Sequence, residues 1–167
     1  MKNLLSIFLI LFSLNFVFCQ DNLPNITLKS INGKSVNISD ITKKDNPIII
    51  NFWATWCAPC KRELNCINEL YNDWVEEFGV KLYAISIDDQ RTVDRVKPYV
   101  LANDWQYEVL LDTNGDLKRA MGVNNVPFTV LIIDGNIIWK HNNYNPGDED
   151  ELYNRISEYL KNKNEGN

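Results

Sequence analysis

Hydrophobic positions along the chain switch between two periods, and the switches predict an order of elements. Residues 47–52 form an isoleucine-rich apolar run, the pattern of a strand covered on both faces. Beyond it Leu64, Ile67, Tyr71, Trp74 and Phe78 recur at helical spacing, with Pro59 where a first turn tolerates proline and Gly79 to end the segment. Residues 80–87 are again β-rich and largely apolar, a second central strand. Residues 92–102 have helical character, but Pro98 inside them must shorten or kink the helix. Residues 108–111 predict another strand, ended by the turn-forming Asp112-Thr113-Asn114-Gly115. Residues 128–133 and 136–139 flank Asp134-Gly135 as a hairpin, and near the start residues 26–28 and 35–38 flank Asn32-Gly33 in the same way. The last segment, 149–163, carries Leu152, Ile156 and Leu160 on one face, with acids first and lysines last as the helix dipole favours. Alternating strands and helices, then a hairpin and a closing helix, predict one α/β domain: a mixed central sheet flanked by helices on both faces, preceded by a small β-hairpin.

Residues 1–19 differ in kind. Lys2 precedes a stretch, 4–18, that has no charge and is broken only by polar residues such as Ser13 and Asn15. This predicts a secretory signal peptide, shorter than the roughly 18–20 apolar residues of a membrane span. Cleavage near Cys19/Gln20 leaves a domain over 20–167. Phe16-Val17-Phe18-Cys19 is a faint lipoprotein box, yet Phe18 is bulky where such a box needs a small residue, which argues against a lipid anchor at Cys19. Membrane contact is expected only if the N-terminus stays uncleaved or is lipidated. Export would place Cys57, Cys60 and Cys66 where disulfides persist, and three cysteines cannot all pair within one chain.

The 167 residues are 45% hydrophobic and 23% charged, enough for one domain with a core. Net charge is −5 and the basic residues are scattered, so no patch of the kind nucleic acid requires is formed.

The candidate chemistry lies in Cys57-Ala58-Pro59-Cys60, between the apolar run and the helix. A zinc site needs four ligands, whereas the chain offers this pair, Cys66 and one distant histidine, His141. A purely structural disulfide across so short a loop would remove little entropy from the unfolded chain. Redox exchange fits the local physics best. At the start of a helix, unpaired N–H groups and the positive end of the dipole favour thiolate over thiol at Cys57, and Lys61 and Arg62 stand nearby. Cys60, one turn further, is near enough to resolve a mixed disulfide. Cys66 lies about 9 Å beyond Cys60 along the axis, outside disulfide reach, and reads as a buried inert thiol, with a regulatory or intermolecular thiol as the alternative. Asp112-Thr113-Asn114-Gly115-Asp116 is a fragment of a calcium loop, but the position of its last acidic ligand is Val123, so it reads as a turn.

The segment FWATWCAPCKREL, 52–64, resembles the active site of the thioredoxin superfamily, in particular the exported TlpA/ResA-like thiol-disulfide oxidoreductases. LPNITLKSINGKSVNISD, 23–40, is similar to the N-terminal extension these proteins share with peroxiredoxins, and VNNVPFTVLI, 123–132, resembles the segment that bears their cis-proline. The resemblance implies a thioredoxin-like fold and no cofactor beyond a redox-active Cys57-Cys60 disulfide. It implies a cis Val126-Pro127 peptide against the reactive cysteine, with the Val126 backbone pairing with a substrate strand. Glu63 matches an acidic residue that tunes the cysteines and could relay a proton; the plain alternative is a solvated helix residue. Trp56, with Ala58 and Pro59, would form an apolar docking rim, while Trp53 reads as packing. Thioredoxin has a buried aspartate at the position of Asn51, and asparagine cannot titrate, so proton handling passes to Glu63 or water. Phe128 follows the proline where many relatives have threonine, a ring that would either pack or alter substrate choice.

Implied partners are protein thiol and disulfide clients and a membrane thiol-disulfide electron donor, with cytochrome c maturation as the family's best-known client pathway. Two other functions compete. A thiol peroxidase would need a threonine or serine three residues before its cysteine and a proline upstream, where this chain has Ala54 and Ile50. A non-catalytic client-binding module would use the same surface without the cysteines.

Overall fold

The computed structural model describes residues 23–43 and 46–165, so the expected signal peptide and Cys19 lie outside the described residues. Within them the isoleucine-rich run becomes β3 (Ile48–Trp53), buried at every position. It is followed by α1 (Ala58–Phe78), whose side chains from Leu64 to Trp74 cover one face of that strand. The helix ends where Gly79 takes φ +65°, a left-handed conformation that glycine adopts without Cβ strain.

β4 (Lys81–Ser86) lies parallel to β3, and β5 (Glu108–Leu111) parallel to β4. The crossover between them contains a 3-10 turn, Val93–Arg95, and then α2 (Val96–Ala102). This division reflects Pro98. It sits in the first turn of α2, where its missing N–H is not needed, and it prevents one continuous helix from Thr92.

β6 (Phe128–Ile133) runs antiparallel to β3, and β7 (Asn136–Asn142) antiparallel to β6. β7 reaches three residues past the predicted end, which brings His141 opposite Thr129. At the other side β1 (Thr27–Ser30) pairs antiparallel with both β2 (Ser35–Asn37) and β5. The sheet order among the described residues is β2-β1-β5-β4-β3-β6-β7. The N-terminal hairpin therefore extends the sheet.

Two segments were not expected. A 3-10 stretch, Ile38–Lys43, follows β2, and Asn37 Oδ1 starts it by accepting from the Ser39 amide at 3.0 Å. A short α3 (Asp116–Ala120) follows β5. Asp112, read as a turn residue, accepts from the amides of Leu117 and Lys118 at 3.2 and 2.8 Å, so its carboxylate also caps this helix. α4 (Asp148–Glu165) opens with Asp148, Glu149, Asp150 and Glu151 and closes the chain on the α1 side.

The sheet separates two cores. On one face Ile49, Trp53, Leu131 and Ile133 pack with α1, α2 and α4; on the other Ile50, Phe52, Val130 and Ile132 pack with Ile38, Ile41 and Leu117. This is the expected mixed sheet with helices on both faces. It places the start of α1 at the end of the central strand β3.

Candidate active site

The chain leaves β3 at Trp53 and enters α1 at Ala58, so the linking loop is short and must be held. Asp88, just past β4, holds it. Its carboxylate accepts from the Thr55 amide at 2.8 Å, the Thr55 hydroxyl at 2.5 Å and the Ser86 hydroxyl at 2.9 Å, and it is 1% exposed. Trp56, next in the loop, is 58% exposed, whereas Trp53 is buried against Trp105 and Tyr99.

Cys57 is the N-cap of α1, and the Cys60 amide donates to its sulfur at 3.3 Å. That contact and the helix dipole both stabilise negative charge on Cys57 Sγ when the pair is reduced. Cys57 and Cys60 form a disulfide with Cα atoms 5.4 Å apart. Cys57 is 6% exposed and Cys60 is wholly buried. Ala58 is exposed and Pro59 half-buried beside them. Lys61 is turned towards Tyr99, its ammonium 5.3 Å from the ring centroid.

The Val126–Pro127 peptide is cis, and the Val126 carbonyl oxygen lies 3.8 Å from Cys57 Sγ. Phe128, the first residue of β6, is half-buried with its ring centroid 6.4 Å from that of Phe52, so it packs into the second core.

Glu63 lies one helical turn beyond Cys60 and is 4% exposed. The alternative of a solvated helix residue does not hold, because this side of α1 faces the sheet. Its Oε2 accepts from Asn51 Nδ2 at 3.0 Å and its Oε1 from the Thr129 hydroxyl at 2.7 Å. Burial penalises the carboxylate and raises its pKa to about 7, against the two hydrogen bonds, which favour the charged form. His141 lowers it further and Asp148 raises it, both through space. His141 itself meets Asp148 at 3.0 Å.

Cys66 is half-buried rather than buried. The Tyr144 hydroxyl lies 3.4 Å from its sulfur and donates to Glu149 Oε2 at 3.0 Å.

The fold thus gathers Cys57, Cys60, Val126 and Pro127 at one end of the sheet, with Trp56, Ala58 and Pro59 on their rim and Glu63 below. Thr129 and Asp88 were missed by sequence reasoning. Thr129 had a signal: it is the polar residue at an inward position of an otherwise apolar strand. Asp88 had none, since its partner Thr55 is 33 positions away.

A disulfide at the N-terminus of a helix that follows a central strand, opposite a cis-proline, defines a thioredoxin-fold oxidoreductase. Residues 19–141 match the model of the AhpC/TSA family, and the chain belongs to that family. It is 32% identical over 139 residues to the thiol-disulfide oxidoreductase ResA of Bacillus thuringiensis subsp. konkukian, covering 83% of this chain and 74% of that protein. The ResA of Bacillus subtilis is 31% identical over 109 residues, covering 65% and 58%. Among solved structures, a thioredoxin-like protein from Porphyromonas gingivalis aligns with TM-score 0.74 and 45% identity over 84% of this chain and 92% of its own. StoA from Bacillus subtilis shares the fold at TM-score 0.62 and 23% identity, over 78% and 99%. The chain is a ResA-like thiol-disulfide oxidoreductase of the thioredoxin superfamily, and such an activity acts on protein thiols.

Proposed function

We propose that this chain is an exported protein-disulfide reductase with Cys57 and Cys60 as its redox pair. The Cys57 thiolate attacks a client disulfide, forms a mixed disulfide and releases one client thiolate. Cys60 then attacks the Cys57 sulfur, releases the second client thiolate and leaves the pair oxidised. Two electrons have passed to the client, and a thiol-disulfide donor at the membrane restores the dithiol. Glu63 accepts the proton that Cys60 must lose before it attacks. The Val126 backbone pairs with the client strand, Pro127 shapes that approach, and Trp56, Ala58 and Pro59 form the rim on which the client rests.

One observation carries this reading: Cys57 caps the helix with an amide directed at its sulfur and reaches the surface, while Cys60 is closed off. Only the former can meet a client. Export rests on the apolar start of the sequence, 4–18. Reduction of a CxxCH disulfide to the two thiols that haem attachment needs is the client pathway we favour, on the likeness to ResA. A peroxidase reading has less support, because Ala54, three residues before Cys57, is a buried apolar residue that offers no hydroxyl to a peroxide.

Insulin reduction tests the mechanism. Cys57→Ala is expected to abolish it, and Cys60→Ser to accumulate a mixed disulfide with the client. Activity retained in Cys57→Ala would sink the proposal.

A further inference from the structure

Asn51, Thr129 and Glu63 close a ring of hydrogen bonds one turn below the disulfide. Asn51 Nδ2 donates both to Glu63 Oε2 at 3.0 Å and to Thr129 Oγ1 at 2.8 Å, and the Thr129 hydroxyl donates to Glu63 Oε1 at 2.7 Å. All three side chains are buried. The ring suits an ionised carboxylate, which only accepts. It leaves Asn51 Oδ1 buried with no partner, one of two such side-chain atoms among the described residues, and buried polar groups are rarely left so.

A protonated carboxyl changes the demand: its O–H must donate while its other oxygen still accepts. Asn51 as placed directs only N–H groups at it, so within the ring that proton can go only to the Thr129 hydroxyl, which must then give up its own donation to Glu63. A half turn of the amide about its Cβ–Cγ bond exchanges Oδ1 for Nδ2 in nearly the same volume and gives the carboxyl proton an acceptor. The backbone need not move, since Asn51 is held in β3 between Ala84 and Thr129 of the neighbouring strands.

We propose that Asn51 is a positioning residue for proton transfer: its amide turns over as Glu63 gains or loses a proton, the Thr129 hydroxyl reorients with it, and the carboxyl stays hydrogen-bonded in both states. This deepens the reading of Glu63 as the proton partner of Cys60 and rests on it. Other titratable groups face Glu63: His141 from β7 and Asp148 from α4 act on its charge, Tyr107 senses it from before β5, and Cys57 and Cys60 precede it on α1.

The test is nuclear magnetic resonance on the labelled full chain with the disulfide intact, which removes thiol titration. The Glu63 carboxyl carbon and the Asn51 side-chain amide are followed from about pH 5 to about pH 9, the range in which a carboxyl raised by burial titrates. The Asn51 amide protons are expected to shift with the midpoint of Glu63, to lose their Overhauser contacts with Thr129 as the carboxyl protonates, and to stop titrating in Glu63→Gln. Thr129→Val is expected to raise the Glu63 midpoint by about one to two pH units, the size of one lost hydrogen bond to a charged group, with Thr129→Ser restoring it. An Asn51 amide that keeps the same contacts through the Glu63 midpoint overturns the proposal. The underlying reading fails separately: if Glu63→Gln leaves the pH profile of thiol exchange unchanged, Glu63 is no proton partner and Asn51 loses its catalytic role even if the amide rotates.

Discussion

At Glu63 two effects oppose each other, and their difference gives a measurable pH dependence. Burial favours the neutral acid and the bonds from Thr129 and Asn51 favour the carboxylate, with burial the larger, so the group titrates near 7 instead of the ordinary 4.5. The native state therefore holds a proton that the unfolded chain has lost between those values. Stability falls as pH rises through that window, and the penalty is fully present above about 7 and absent below about 4.5. Glu63→Gln removes the charge while keeping the shape. It is expected to stabilise the oxidised protein at pH 8 by on the order of 3 kcal/mol, and by much less at pH 5. Denaturant unfolding at both values checks this, and an equal difference at both would contradict the assigned burial penalty. At this scale the cysteines and Glu63 were legible because they are fixed by spacing from one motif. Thr129 joins them from 66 positions away, and the Tyr144 hydroxyl that meets Cys66 comes from 78 positions away, so neither contact shows in the spacing along one helix.

Among the elements, the strand-to-helix junction decides where the chemistry sits. β3 is buried on both faces and ends at Trp53, α1 starts at Ala58, and Asp88 clamps the residues between through Thr55. Asp88→Ala leaves the Thr55 and Ser86 donors without their acceptor in a buried place, which is expected to cost about 1–3 kcal/mol of stability. The loosened loop also carries Trp56, so reduction of a protein client is expected to slow more than reduction of a small disulfide. Unchanged unfolding together with an unchanged ratio of the two rates would contradict the clamp. The long elements were legible because burial imposes a period over many residues. α3 was not, since five residues are too few to show one and its start depends on a carboxylate cap from Asp112. The extra residues of β7 were hidden for a related reason: Lys140, His141 and Asn142 are polar, and pairing with β6 makes them a strand.

Over the whole molecule, the β-hairpin joins the sheet beside β5, at the far side from β6 and β7, so the order of strands puts the extension away from the cis-proline. The class of fold was readable from the alternation of elements, and the reaction from CAPC at the junction read together with the cis-proline segment. Direction of electron flow was not readable, because about 30 mV in a two-electron couple corresponds to only about 1.4 kcal/mol, less than the effect of a few charges and hydrogen bonds around the sulfurs. The most direct test of the proposed reductase activity is therefore the reduction potential of the Cys57/Cys60 couple, measured by equilibration against glutathione or dithiothreitol. The account predicts a value near that of thioredoxin, about −270 mV, whereas a value near about −120 mV, like that of DsbA, would make the protein a disulfide donor and contradict it.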